Sequence, residues 1–135
     1  MKTIVCATDG TSHAEKAVTF AAELAKAFGA SLVLVAVRPF TLGRGGPTPL
    51  WDEARADEAL SAAIKSAKAT GLTKVEGVEA DGQDISDAVL AVAHTKHADH
   101  VVVGSGAKNV LQRTLIGSVS TALVNKSHVP VTVVH

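Results

Sequence analysis

The sequence predicts an α/β fold built on an open, five-stranded parallel sheet with helices on both faces. Three observations predict it. Apolar runs of strand length alternate with segments of helical period, the signature of repeated βα units. Apolar residues make up 47% and aromatics only 3%, so Val, Ala, Leu and Ile must fill the interior, a mixture suited to helices packed on parallel strands. The 135 residues have the length of one domain, which buries about two-thirds of its unfolded surface.

The strands are expected at Thr3–Thr8, Ser31–Val37, Lys74–Glu79, Asp99–Gly104 and Val129–Val134. A first helix follows Gly10, because Ala17, Phe20, Ala21, Leu24 and Phe28 recur every three or four residues. Ser12 with Glu15 reads as its capping box and Gly29 as its stop. A second helix, Trp51 to Thr70, would bury Ala56, Ala59, Leu60, Ala63, Ile64 and Ala67, with Gly71 ending it. A third, Ile85 to Lys96, uses Ile85, Ala88, Val89 and Val92. A fourth, Ser118 to Lys126, presents Val119, Ala122 and Leu123 ahead of Pro130. The segment Arg38–Leu50, with three prolines and three glycines, reads as irregular: a lid or a flexible connection over one sheet edge.

Net charge is zero, which argues against broad electrostatic binding of nucleic acid or anionic membrane. No apolar run nears the roughly 20 residues that span a bilayer, and the start MKTIVCATDG turns polar too early for a secretory signal, so the expected location is the cytoplasm. Cys6 is the single cysteine and reads as a buried structural thiol. His94, His97 and His100 are spaced in threes, but His100 belongs to the next strand and no carboxylate or cysteine completes a tetrahedron, so no metal site is expected. No nucleophile and base are recognisable as a pair, so the residues give no support for hydrolytic catalysis.

Ligands of open parallel sheets bind beyond the carboxyl ends of the strands, where the strand order reverses. Three strands here end in small or polar residues: Thr8-Asp9-Gly10-Thr11, Val37-Arg38 and Gly104-Ser105-Gly106. In the order 3-2-1-4-5, the first and fourth strands straddle the reversal. Anion binding needs outward-pointing backbone N–H groups without side chains in the way, and glycines at a helix start provide that. Gly104 and Gly106 loosen the turn, and Gly117-Ser118 opens a helix whose first N–H groups, with the Ser118 and Ser120 hydroxyls, would face the crevice. The segment from His100 onward has no carboxylate and carries Lys108, Arg113 and Lys126. Phosphate-loop and dinucleotide fingerprints are absent: there is no G-x-x-x-x-G-K-[ST], and GSGAKN lacks a third glycine.

The stretch GSGAKNVLQRTLIGSVS resembles the universal stress protein family, whose nucleotide-binding members carry G-x2-G-x9-G-[ST] after the fourth strand; the matching positions are Gly104, Ala107, Gly117 and Ser118. The likeness includes the ending PVTVV and, near the start, IVCATDGTSHAEKAV with Asp9 at the family's acidic position. It implies one universal stress protein domain over residues 1–135, an adenine nucleotide alpha hydrolase-like sheet of order 3-2-1-4-5, and a homodimer through strand 129–134. It further implies ATP or AMP, with Mg as an admissible companion, as ligand of a regulatory stress-response module that is at most a slow ATPase. Base and ribose would lie near Thr8, Asp9 and Val37, and phosphates on Gly104, Gly106, Ala107, Gly117, Ser118, Val119 and Ser120. Ala107 departs from the pattern, since a methyl group disfavours positive φ and crowds an approaching phosphate. That departure favours the rival reading, a nucleotide-free dimeric adaptor acting through protein contacts. Asp9 has a second reading as a helix N-cap or a turn acid before Gly10, the serines as helix caps, and Trp51 as a hydrophobic staple or a contact to ligand or partner.

Overall fold

The structure, a computed structural model, describes residues 1–106 and 117–135. Within them the apolar runs become strands and the periodic segments helices: β1 (Thr3–Ala7), α1 (Ser12–Phe28), β2 (Ser31–Gly43), β3 (Gly46–Pro49), α2 (Glu53–Ala69), β4 (Val75–Gly82), α3 (Ile85–Thr95), β5 (His100–Gly104), α4 (Ser118–Lys126) and β6 (Val131–Val134). The five parallel strands lie in the order β4-β2-β1-β5-β6, which is the expected 3-2-1-4-5.

Strand alternation sends side chains to two separate cores. Ile4, Cys6, Leu32, Leu34 and Val102 face one side and meet alanines of α1 and α2. Val5, Val33, Val35, Val37, Val101 and Val103 face the other and meet α3 and α4. Cys6 is fully buried on the α1 and α2 side, and burial pushes its thiol up to about 12, so it sits as a small apolar side chain.

The segment Arg38–Leu50 is not irregular. β2 runs on to Gly43, turns through Arg44 and Gly45, and returns as the antiparallel β3, pairing Phe40 with Pro49 and Gly43 with Gly46. Gly46 takes φ 97° at the turn, a value that suits glycine. Pro47 and Pro49 donate no hydrogen bond and are tolerated because β3 lies at an edge.

Helix starts follow capping chemistry. The α1 cap is Thr11, one residue before the expected Ser12: its hydroxyl accepts from Ala14 N at 3.3 Å. Asp52 caps α2 and Asp84 caps α3 in the same way. Hydrogen bonds from the Ser86 hydroxyl and the Asp87 N–H hold the Asp84 carboxyl below its ordinary value. Gly29 ends α1 at φ 65°, as expected. The buried arc of α1 is Ala14, Ala17, Val18, Ala21, Ala22 and Ala25, whereas Phe20 and Phe28 stand exposed, contrary to the periodic reading. Leu60 and Ile64 of α2 are only partly buried around Ala56, Ala59, Ala63 and Ala67. Ile85 and Val92 of α3 are likewise partly buried.

Arg38 binds the start of α2 to the sheet. It lies 2.9 Å from Asp81 of β4 and 3.5 Å from both Glu79 and Glu53. Lys126 at the end of α4 reaches Asp87 of α3 at 3.1 Å, and that bond pushes the ammonium up. Among the described residues no helix is long and apolar enough to cross a membrane, and no three potential metal-ligating side chains gather. His100 instead meets the Thr132 hydroxyl through Nε2 at 2.7 Å.

Candidate functional site

The strand order reverses between β1 and β5, and a cleft of about 260 Å³ opens beyond their carboxyl ends. It forms there because neighbouring crossovers leave β1 towards one side and β5 towards the other, so their loops diverge. Of the residues singled out in the sequence, Thr8, Asp9, Val37, Gly104, Gly106, Gly117, Ser118, Val119 and Ser120 line this one cleft. Ala107 lies outside the described residues, as do Lys108 and Arg113.

Each wall has a local cause. Thr8 continues β1 by donating its N–H to Val35 O at 2.8 Å, and Gly10 turns the chain at φ 82°. Between them Asp9 folds back, its Oδ1 accepting from the N–H of Thr11 at 2.9 Å and from the Thr11 hydroxyl at 2.6 Å. Asp9 is therefore the turn acid and not the cap of α1, which is Thr11, and among the described residues its Oδ2 has no hydrogen-bond partner. Val35 and Val37, two apart on β2, add an apolar wall with Ile85.

Opposite Asp9 the chain leaves β5 through small residues at close quarters. A Cβ at Gly104 would stand 2.8 Å from the backbone oxygen of His13, and one at Gly117 would stand 2.8 Å from Ser105 O. Both distances are shorter than real Cβ contacts, so these are positions where only glycine fits the present backbone. Gly106 has φ 74°, and so supplies a left-handed turn directly before Ala107. Gly117 donates its N–H to Ser105 O at 2.7 Å, clasping the start of α4 to the end of β5.

The start of α4 differs from the other three helices. Its N-cap is Gly117, without a side-chain cap, whereas Thr11, Asp52 and Asp84 cap α1, α2 and α3. Uncapped first-turn N–H groups carry the positive end of the helix dipole and favour an anion. Ser118 is exposed at this rim. Ser120 is buried, and its hydroxyl turns inward to donate to Gly117 O at 3.0 Å, with Ser105 O at 3.4 Å. Its hydrogen is thus engaged in holding the turn, while its oxygen still lines the cleft.

Sequence reasoning missed His13 and gave Trp51 no definite place. His13 is half-buried at the edge of the buried arc of α1, and its backbone closely approaches Gly104 beside the cleft. Trp51 lines the opening, with the Arg55 guanidinium 3.9 Å over its ring. Arg55 is one turn into α2, a spacing that the sequence does contain.

The universal stress protein family model matches residues 1–135. A universal stress protein of Methanocaldococcus jannaschii is 33% identical over 140 residues, covering 98% of this chain and 81% of that protein. The chain spans about half the length, 47%, of universal stress proteins from Mycobacterium tuberculosis that it also matches at 28% identity. Among solved structures, a universal stress protein in complex with cAMP superposes with a TM-score of 0.79 at 29% identity, covering 99% of this chain and 96% of that one. The universal stress protein from Archaeoglobus fulgidus in complex with dAMP does so with 0.77 at 26% identity, covering 100% and 98%. With its parallel sheet, its strand order and this match from end to end, the chain belongs to the universal stress protein family.

Proposed function

We propose that the chain acts as a single universal stress protein domain that binds an adenine nucleotide, ATP or AMP, in the cleft between β1 and β5, and serves as a cytoplasmic regulatory module of a stress response. The observation that carries this reading is the uncapped start of α4, set among Gly104, Gly106 and Gly117 opposite Asp9. Phosphates would take the N–H groups of Ser118, Val119 and Ser120, with Gly117 leaving room for their approach. Ribose would meet Asp9 at Oδ2, and the base would lie between Val37 and Thr8. Any magnesium would arrive on the nucleotide's own phosphates. The cAMP and dAMP complexes of similar structures support the ligand class.

Isothermal titration with ATP, ADP and AMP tests the reading: saturable heat at sub-millimolar nucleotide is expected, and silence at millimolar nucleotide rejects it. The rival adaptor reading rests on Ala107 in the place of a motif glycine. Heat that appears only in Ala107→Gly, not in the native chain, decides for the adaptor.

The partner in either reading is a second copy. β6 is the last strand of the sheet, and its Pro130 and Val134 carbonyls are taken by β5, which leaves the backbone groups of Val131 and Val133 at the open edge. Sedimentation equilibrium is expected to give a homodimer; a monomer at all concentrations removes β6 as the interface.

A further inference from the structure

Trp51 stands among exposed neighbours, Thr48 to Leu50 before it and Asp52 to Arg55 after it, yet is itself half-buried. Among the described residues it is not one of the side chains that pack on either core, so the core does not account for its burial. What it does border is the cleft. We infer that Trp51 stacks on the adenine base and sets the preference of the site for it, with Arg55 as the positioning residue behind the ring. This rests on the nucleotide reading and names what selects the base in that same site.

Contacts on both sides of residue 51 fix where it stands. Leu50 donates its N–H to Pro39 O at 2.8 Å, two residues beyond Val37. Glu53 meets the Arg38 guanidinium at 3.5 Å, one residue beyond Val37. Trp51 is thereby held between two attachments to β2, the strand whose Val35 and Val37 wall the cleft. α2 also lies against the turn that carries Asp9, for a Cβ at Gly10 would stand 3.3 Å from Ala59 Cβ. The start of α4, where the phosphates are expected, is clasped to β5, and β5 lies on the other side of β1 from β2. Trp51 is therefore anchored at the base end of the cleft and not at its phosphate end.

The ring has a fixed backing. The Arg55 guanidinium lies over it, 3.9 Å from the centroid. Arg55 does not itself line the cleft, so it covers the ring from outside, and the base would take the opposite face. One turn of α2 spans the two residues, and the Asp52 side chain caps that turn by accepting from Arg55 N at 2.8 Å. A ring held in place before the ligand arrives loses little freedom on binding. No other Trp, Phe or Tyr lines the cleft among the described residues, so Trp51 is the large stacking surface available to a base.

Trp51 is the only tryptophan and the chain has no tyrosine, so intrinsic fluorescence reports this ring. ATP and AMP are expected to quench it saturably, and inorganic tripolyphosphate, which has no base, to leave it unchanged. Titration calorimetry then compares the native chain with its variants. Trp51→Ala is expected to weaken ATP and AMP by the same factor, about tenfold, since the two share the base and differ in charge. Trp51→Phe, which keeps a stacking face, is expected to stay within about threefold of native. Arg55→Met, which keeps the stem without the cation, is expected to weaken both nucleotides equally and by less than Trp51→Ala; native affinity there removes Arg55 as the positioning residue. Native affinity in Trp51→Ala overturns the role of Trp51 and leaves the nucleotide site standing. A loss confined to ATP overturns it as well, because the ring would then serve the phosphate chain, and so does a quench by tripolyphosphate as deep as that by ATP. The quench is read on the native chain and does not depend on the folding of any variant. Heat from neither ATP nor AMP with the native chain fells the nucleotide reading itself, and this inference with it.

Discussion

Gly104→Ala is expected to abolish nucleotide binding and to destabilise the fold by about 1–3 kcal/mol, the usual range for a methyl forced into a close-packed site. The added carbon would stand 2.8 Å from the oxygen and 3.1 Å from the carbon of the His13 backbone, and 3.5 Å from Ala14 N. All three atoms are main chain in the first turn of α1, so no side-chain rotation relieves the contact. The helix start must move away from β5, and the cleft that both elements wall opens with it. Gly43→Ala is the control: nothing lies within 4 Å of its Cβ position, so stability and binding should stay near native values. Urea unfolding and calorimetric titration of ATP read the two effects separately. Native stability in Gly104→Ala removes the packing argument; lost stability with native affinity removes the cleft as the binding site.

Why Gly104 could be found from sequence while His13 could not is a matter of range. A glycine closing a valine run, with a second glycine and hydroxyls thirteen residues later, is a local pattern, and it pointed to one rim of the sheet. His13 reaches that rim because two backbones meet, a contact between residues 91 apart that no local period encodes. The same limit explains α1. Counting apolar residues placed Phe20 and Phe28 on the inner face, but the helix packs close to the strands, and the arc that fits is made of Ala14, Ala17, Ala21, Ala22 and Ala25 with Val18. Small residues permit close approach, and the aromatic rings are left at the surface. The Pro- and Gly-rich stretch from Arg38 misled in another way. Its composition reads as a breaker, yet Pro47 and Pro49 lie on an edge strand where missing donors cost little, so a hairpin forms. Ser120 shows the converse: a hydroxyl read as a ligand contact turns its hydrogen to the backbone of Gly117. The periodic reading failed at Phe20 and Phe28 and the compositional reading failed from Arg38, because which face is buried and which strand lies at an edge are set by packing that a local pattern does not carry.

The largest loss of stability without loss of binding is expected from Leu34→Ala. Leu34 is fully buried on β2, paired with Cys6 of β1 and Gly77 of β4, on the face opposite Val35 and Val37. It does not line the cleft, so the folded variant should bind ATP as the native chain does. Truncating a buried leucine costs about 2–5 kcal/mol, through lost transfer energy and the cavity left behind. Against a total of about 5–15 kcal/mol that is a large fraction, and it lowers Tm by about 10 °C. How far the cavity collapses depends on Gly77. A Cβ there would meet Leu60 and Ile64 side-chain carbons at 2.9 Å, so these two α2 side chains already fill the space beside Leu34. They can shift into the hole when Leu34 is cut back. Gly77→Ala alone is expected to destabilise by overpacking, but Gly77→Ala added to Leu34→Ala should cost less, because the displaced Leu60 and Ile64 have somewhere to go. Urea unfolding of the four proteins measures the coupling. Losses that add to within about 0.5 kcal/mol would mean that β4 and β2 do not share one packed volume under α2. A coupling above that value, with ATP affinity unchanged, places stability in the α2 side of the sheet and ligand binding at its rim.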